Sequence, residues 1–198
     1  MGLEGYLAGI AMLIVMCVDA VSDPIIGHVS DNLHSKWGRR HPFMYAAAFP
    51  VALSYFFVWN PPHDLSQMQL FTYLILLAAL VRTFITMYEI PSTALVSEFT
   101  DDYDQRTSML AYRYFFGWWG GLAMHITVLY VLLAATPDYP FGLLNPEGYP
   151  HLGIVAAVII FVAIMVSAIG THKNIPDLHA PPEKKDFRLG DIFADLLE

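Results

Sequence analysis

The stretch CVDAVSDPIIGHVSDNLHSKWGRRHP, residues 17–42, sets Asp19, Asp23 and Pro24 inside an otherwise apolar run and closes that run with Lys36, Arg39 and Arg40. Apolar residues on every side mark a helix buried in protein or lipid, and carboxylates there are costly unless a partner or a cavity receives them. The surrounding composition favours lipid. Of 198 residues 56% are hydrophobic and 14% charged, with a mean hydropathy of +0.49. That balance places the chain in the membrane class. The net charge of -8 says little about partners, because the charges cluster between long apolar runs. Cys17 is the one cysteine, so no intrachain disulfide or cysteine-based metal cluster is expected.

Five stretches are long enough to cross about 30 Å of hydrocarbon at about 1.5 Å per residue. They run from Tyr6 to Val29, Pro42 to Trp59, Met68 to Ser97, Ser108 to Ala135 and Leu152 to Thr171. The connections are polar or rich in turn residues, as in TPDYPFGLLNPEGYP after Ala135. An all-α, polytopic membrane helix bundle is therefore expected over residues 1–171, with residues 172–198 opening a cytoplasmic central loop.

Of the ten Lys and Arg residues, Lys36, Arg39 and Arg40 fall in the first connection, Arg106 in the third, and Lys173, Lys184, Lys185 and Arg188 in the tail. The positive-inside bias then puts those two connections and the C-terminus in the cytoplasm. Met1 would lie outside with nothing before it to carry it there. The chain is accordingly expected to be an interior piece of a larger protein, preceded by another helix. Its tail, THKNIPDLHAPPEKKDFRLGDIFADLLE, reads as a proline-containing linker and the start of an amphipathic helix.

Asp19 and Asp23 are spaced i, i+4 and share a helix face, about 6 Å apart along the axis. Two like charges in a bilayer repel, and a cation between them relieves both the burial and the repulsion. Na⁺ or H⁺ would serve, with Ser22 adding an oxygen; pairing with basic residues for structure alone is the alternative. Pro24 removes a backbone bond and leaves the carbonyl near Ala20 open as a ligand or a hinge. Glu89, in TFITMYEIPSTAL, repeats the pattern of an acid beside a proline, with Thr86 on its face. Three acids from two helices would make a cation cage, unless Arg82, seven residues before Glu89, neutralises it.

Arg113, in AYRYFFGWWGG, either holds a buried acid or a polar solute, or snorkels to the headgroups. The aromatics around it offer a surface on which a sugar ring would stack, or simply face lipid. In the first connection Asp31, Arg39 and Arg40 could latch to the acidic third connection, SEFTDDYDQR, which includes Arg106. Such a latch suits alternating access; a plain topological anchor is the alternative. His28, His34 and His41 are too scattered for a metal site.

DAVSDPIIGHVSD, WGRRHPF, EIPSTALVSEFTDDYDQRT and YRYFFGW, in this order and spacing, resemble the N-terminal half of the glycoside-pentoside-hexuronide:cation symporters, the melibiose-permease branch of the major facilitator superfamily. The resemblance covers about residues 8 to 175. It implies twelve helices in two six-helix halves, so that this chain begins near helix two and lacks helix one and the C-terminal half. It also implies that Asp19 and Asp23 are the cation-site aspartates of helix two and that Thr86 is a polar neighbour of that site. Glu89 then takes the acidic sugar-binding position of helix four, and Arg113 the sugar-binding arginine of helix five. Thr93 stands where galactoside-binding members carry a stacking tryptophan. A non-sugar solute, as in a lysophospholipid-carrying branch, therefore stays open.

The expected function is cation-coupled symport of a sugar, glycoside or related solute across a bacterial inner (plasma) membrane. The coupling ion is Na⁺ or H⁺, with no organic cofactor and no nucleic-acid partner. A membrane prenyltransferase, in which DAVSD and DDYD would hold Mg²⁺ and a diphosphate, is the enzymatic alternative. It leaves Pro24, the basic connection and Glu89 without a role.

Overall fold

The computed structural model describes residues 2–177; the remainder of the expected loop and tail lies outside them. Five helices are long and apolar enough to cross a membrane: α1 (Gly5–Asn32), α2 (His41–Trp59), α3 (Gln67–Phe99), α4 (Tyr103–Thr127) and α5 (Gly148–His172). No strand occurs among the described residues. α1 runs through Pro24 without interruption, as α2 and α3 run through Pro50 and Pro91.

Local chemistry sets the helix ends. Ser66 opens α3 with a capping box: its hydroxyl accepts from the Gln69 amide, and the Gln69 side chain accepts from the Ser66 amide at 2.9 Å. Both exchanges satisfy amides that the first turn leaves without helical partners. α4 starts five residues before the apolar run that predicts it. Asp102 Oδ1 accepts from the Gln105 amide at 2.9 Å, so the polar segment DYDQR becomes a first turn rather than a loop. The connection between α3 and α4 is thereby only Thr100 to Asp102. α4 ends in a π-turn, Val128–Leu132.

α1 and α3 are parallel neighbours held at one register. The Glu4 amide donates to Gln67, Arg82 donates to Asp19, and Thr86 donates to Asp23, each pair 63 residues apart. Gly27 keeps the same offset: a Cβ there would sit 3.8 Å from Ile90 Cγ2. The buried stripe of α1, Ala11, Val15, Asp19, Ile26 and Ser30, has the helical period of a face turned to a partner.

α2 and α5 are the most enclosed of the five helices, each with 33% of its most apolar stretch buried. Ala48 and Val51 pack with Val81 of α3 and Ile164 of α5 in one cluster, and Met44, Leu95 and Ala168 form a second. α2 and α5 run antiparallel. His41 Nε2 meets Thr171 Oγ1 at 3.0 Å and the Tyr45 hydroxyl meets His172 at 3.0 Å at one end. Trp59 stacks on Tyr149 at 5.4 Å at the other. His41 is thus a packing residue between helices. Beyond α4 the chain folds back tightly, since a Cβ on Gly142 would collide with the Leu133 carbonyl.

These contacts put the Leu33–Arg40 connection, the Thr100–Asp102 turn and the end of α5 at the same end of the bundle. α4 buries none of its own residues and touches α3 sparingly. Its aromatic residues stay exposed, Trp118 at 81% and Trp119 at 57%.

Candidate functional site

The polar residues of α3 that face α1 and α4 fall at Arg82, Thr86, Glu89 and Thr93. The spacing i, i+4, i+7, i+11 stacks them along one side of the helix. They line an open cavity of about 490 Å³ together with Asp23 of α1 and Ile85, Ile90 and Ala94. The constant register brings both aspartates of α1 to this stripe. Asp23 Oδ1 accepts from Thr86 Oγ1 at 2.8 Å. Asp19 lies deeper and accepts from Arg82, with Nε at 2.6 Å from Oδ2 and Nη2 on the same oxygen.

This arrangement changes the expected cage in one respect. Arg82 pairs with Asp19 across the helix interface, not with Glu89 along its own helix. The Asp19 side chain is 10% exposed and the Arg82 side chain 55%. Asp19 Oδ1 is buried and has no hydrogen-bond partner among the described residues. Ser22 stays apart from the carboxylates: its hydroxyl donates back to the Asp19 carbonyl at 3.3 Å, the usual habit of a serine inside a helix.

A second open cavity, of about 1000 Å³, lies between α3, α4 and α5. Glu89, Arg113, His125 and Ser167 supply its polar groups, and Tyr88, Tyr114, Trp118 and Trp119 much of its aromatic wall. Arg113 is fixed by a relay: its Nη1 donates to Ser92 Oγ at 3.0 Å, and Ser92 Oγ donates to the Glu89 carbonyl at 3.1 Å. Arg113 therefore points inward, toward α3, rather than along α4 to the headgroups. Glu89 borders both cavities. An acid and an arginine flanked by flat aromatic faces can bind hydroxyl groups while stacking on a ring.

At the end of the bundle that carries the basic connection, the charged side chains gather around Glu98. Glu98 Oε1 accepts from Arg39 Nη2 at 2.8 Å and from Arg40 Nε at 2.9 Å. Arg40 also donates to Asp31 and, at 3.0 Å, to Ser30 Oγ. Gly38 turns the connection in the left-handed region, φ +71°, which glycine adopts without strain. Arg106, expected in the latch, is not brought to it. Because α4 begins at Tyr103, Arg106 falls in its first turn and donates to the Thr100 carbonyl at 3.0 Å. It orders the turn between α3 and α4.

Two residues here were not singled out as site residues from sequence: Glu98, hidden in the acidic string of the third connection, and Ser92, which looks like an ordinary polar residue of a helix. The proline beside each acid was a signal for Asp23 and Glu89. Glu98 had a weaker one, an acid near the end of a long apolar run opposite a run of arginines.

Comparison with known proteins agrees with this architecture. The family model of the MFS/sugar transport proteins matches residues 1–198. An uncharacterized symporter of Synechocystis is 34% identical over 174 residues, 85% of this chain and 31% of that protein. The inner membrane symporter YicJ of Escherichia coli is 28% identical over 197 residues, 98% of this chain and 41% of that protein. The sodium-dependent lysophosphatidylcholine symporter 1 of Gallus gallus is 30% identical over 112 residues, 56% of this chain and 21% of that protein. The chain thus spans about a third to two-fifths of the length of the first two relatives. These relatives are named as symporters, a likeness that the prenyltransferase alternative does not share, and the chain, with five helices long and apolar enough to cross a membrane, belongs to the MFS/sugar transport family.

Proposed function

We propose that the chain forms one wall of a cation-coupled symporter for a sugar, a glycoside or a related polar solute. Na⁺ or H⁺ sits at Asp19 and Asp23 beside Thr86, and the solute lies between Glu89 and Arg113 against the aromatic face of α4. The observation that carries this reading is the position of Glu89 on the rim of both cavities. A change of charge at the aspartates is felt by a group that also touches the solute, and each ligand then raises the affinity for the other by the same factor. The end of the bundle with Arg39, Arg40 and Glu98 faces the cytoplasm, following the distribution of positive charge. Breaking and reforming that latch accompanies the rocking of this wall against the rest of the carrier.

The test is solute uptake by cells expressing the complete coding sequence, wild type against Asp19→Cys and Asp23→Cys. Loss of ion-driven accumulation with normal membrane levels is expected; unchanged accumulation overturns the reading. Na⁺ replacement and a protonophore, in separate arms, assign the ion. A lysophospholipid is the second solute class, favoured by the similarity to a lysophosphatidylcholine symporter and by the apolar, open side of the larger cavity. Competition of uptake by glycosides and by lysophosphatidylcholine separates the two.

A further inference from the structure

The pair of Asp19 and Arg82 is built unlike an ion pair that only holds two helices together. Such a pair is stable when both partners are enclosed and all their polar atoms are matched. Here Asp19 is enclosed and Arg82 is not, with 10% and 55% of their side chains exposed. The carboxylate uses one oxygen for Arg82 and leaves Oδ1 buried without a hydrogen bond, as Glu98 leaves Oε2, so the exposure of Arg82 is what sets this pair apart. The guanidinium, for its part, faces the cavity that also holds Asp23 and Glu89. Asp19, Asp23 and Glu89 all interact electrostatically with Arg82. Three carboxylates thus share one positive charge, and Arg82 reaches the site from the same helix that carries Glu89.

We propose that Arg82 is a tethered cation. It occupies the Asp19 side of the seat when no coupling ion is bound, and the arriving ion displaces it toward Glu89. Arg82 and Glu89 are seven residues apart on one face of α3, about 10.5 Å along the axis. Two long side chains bridge that distance without any movement of the helix. Displacement is a change of rotamer within one cavity, and the exposed side of the guanidinium is already there.

The consequence is quantitative. An ion that must displace an occupant binds more weakly by the fraction of time the seat is open, so a seat open one time in ten costs it about tenfold in affinity. The displaced charge then balances Glu89 at the edge of the solute cavity. That transfer is how occupation of the seat reaches the solute, and by reciprocity the solute tightens the ion. Arg82 is a positioning residue in this scheme, since it contacts neither the ion nor the solute when the seat is loaded.

The inference rests on the cation seat proposed above, and the experiment separates the two. Equilibrium binding of ²²Na⁺ is measured on the purified complete carrier as wild type, Arg82→Gln, Arg82→Lys and Asp23→Asn. Arg82→Gln is expected to bind Na⁺ about tenfold more tightly than wild type, Arg82→Lys to lie near wild type, and Asp23→Asn to lose binding. Arg82→Met gives the same reading as Arg82→Gln should the latter fail to reach the membrane. For a proton-coupled carrier, in which no variant binds Na⁺, the probe is carbodiimide labelling of the protonated carboxyl. The extent of labelling at one fixed pH is expected to rise in Arg82→Gln, since removing a neighbouring positive charge favours the protonated acid. Equal or weaker ion binding in Arg82→Gln, with Asp23→Asn inactive, overturns the tethered cation and leaves the seat. Wild-type binding in Asp23→Asn overturns the seat itself.

Discussion

At one end of the α1 and α3 pair, Glu98 is gripped by Arg39 and Arg40 and is only 4% exposed on its side chain. Midway along the same two helices, Asp19 meets an arginine that is more than half exposed. Both are carboxylates with a guanidinium, yet they are built for opposite ends. Glu98 has two arginines on one oxygen, a serine hydroxyl on the second arginine and a connecting segment wrapped around the group. Asp19 has one arginine and an open cavity beside it; a buried oxygen without a hydrogen bond is common to both, Oδ1 of Asp19 and Oε2 of Glu98. Access to a competing charge is what separates them. A closed cluster resists exchange and serves as a fastener; an open one can trade its cation.

Substitutions sharpen this contrast in a graded way. Glu98→Gln leaves Arg39 without a counter-charge and Arg40 with only the half-exposed Asp31, and is expected to cost about 3–5 kcal/mol. It should appear as a marked fall in the thermal unfolding midpoint of the detergent-purified carrier. A midpoint within a degree of wild type would mean that the latch is no more closed than the seat. Ser92→Ala removes the acceptor that fixes Arg113. A hydrogen bond to a charged group contributes about 1.5 kcal/mol, so the solute KM should rise about tenfold. The ion concentration for half-maximal uptake should stay within twofold.

Thr86→Val keeps the shape of the side chain and removes the hydroxyl that bonds Asp23. At about 1 kcal/mol for a hydrogen bond the ion should bind several-fold more weakly, with the unfolding midpoint nearly unmoved. Asp31→Asn is the mildest change. Asp31 pairs with the same Arg40 as Glu98 does, but its side chain is 51% exposed, and exposed pairs contribute below about 1 kcal/mol. A loss as large as that of Glu98→Gln would show that enclosure is not what distinguishes the partners of Arg40.

Much of the fold was written in local pattern. The apolar runs gave five helices, and the i, i+4 spacing of Asp19 and Asp23 correctly placed both on a face turned to a partner. The basic first connection and the acid-bearing third one pointed to a charge contact between them, and Glu98 supplies it. What local pattern could not supply was the register between α1 and α3. Arg82 sits on the face of Glu89, and the helix period alone pairs them. Only the alignment of the two helices shows that Asp19 is the nearer acid. The start of α4 is not legible in local pattern because DYDQR is polar, whereas Asp102 caps it into a helical turn. The position of Arg106, in that first turn, follows from the cap.

The offset of 63 residues, repeated at Gln67, Arg82 and Thr86 and again where Gly27 faces Ile90, has a mechanical meaning. Sliding α1 by one turn, about 5.4 Å, would put Asp19 opposite Thr86 and Asp23 opposite Ile90, breaking every rung together. The two helices are therefore a single strut that can tilt or turn but not telescope. Only side chains at its middle are free to change partners, and whatever moves the strut as a whole carries both clusters with it.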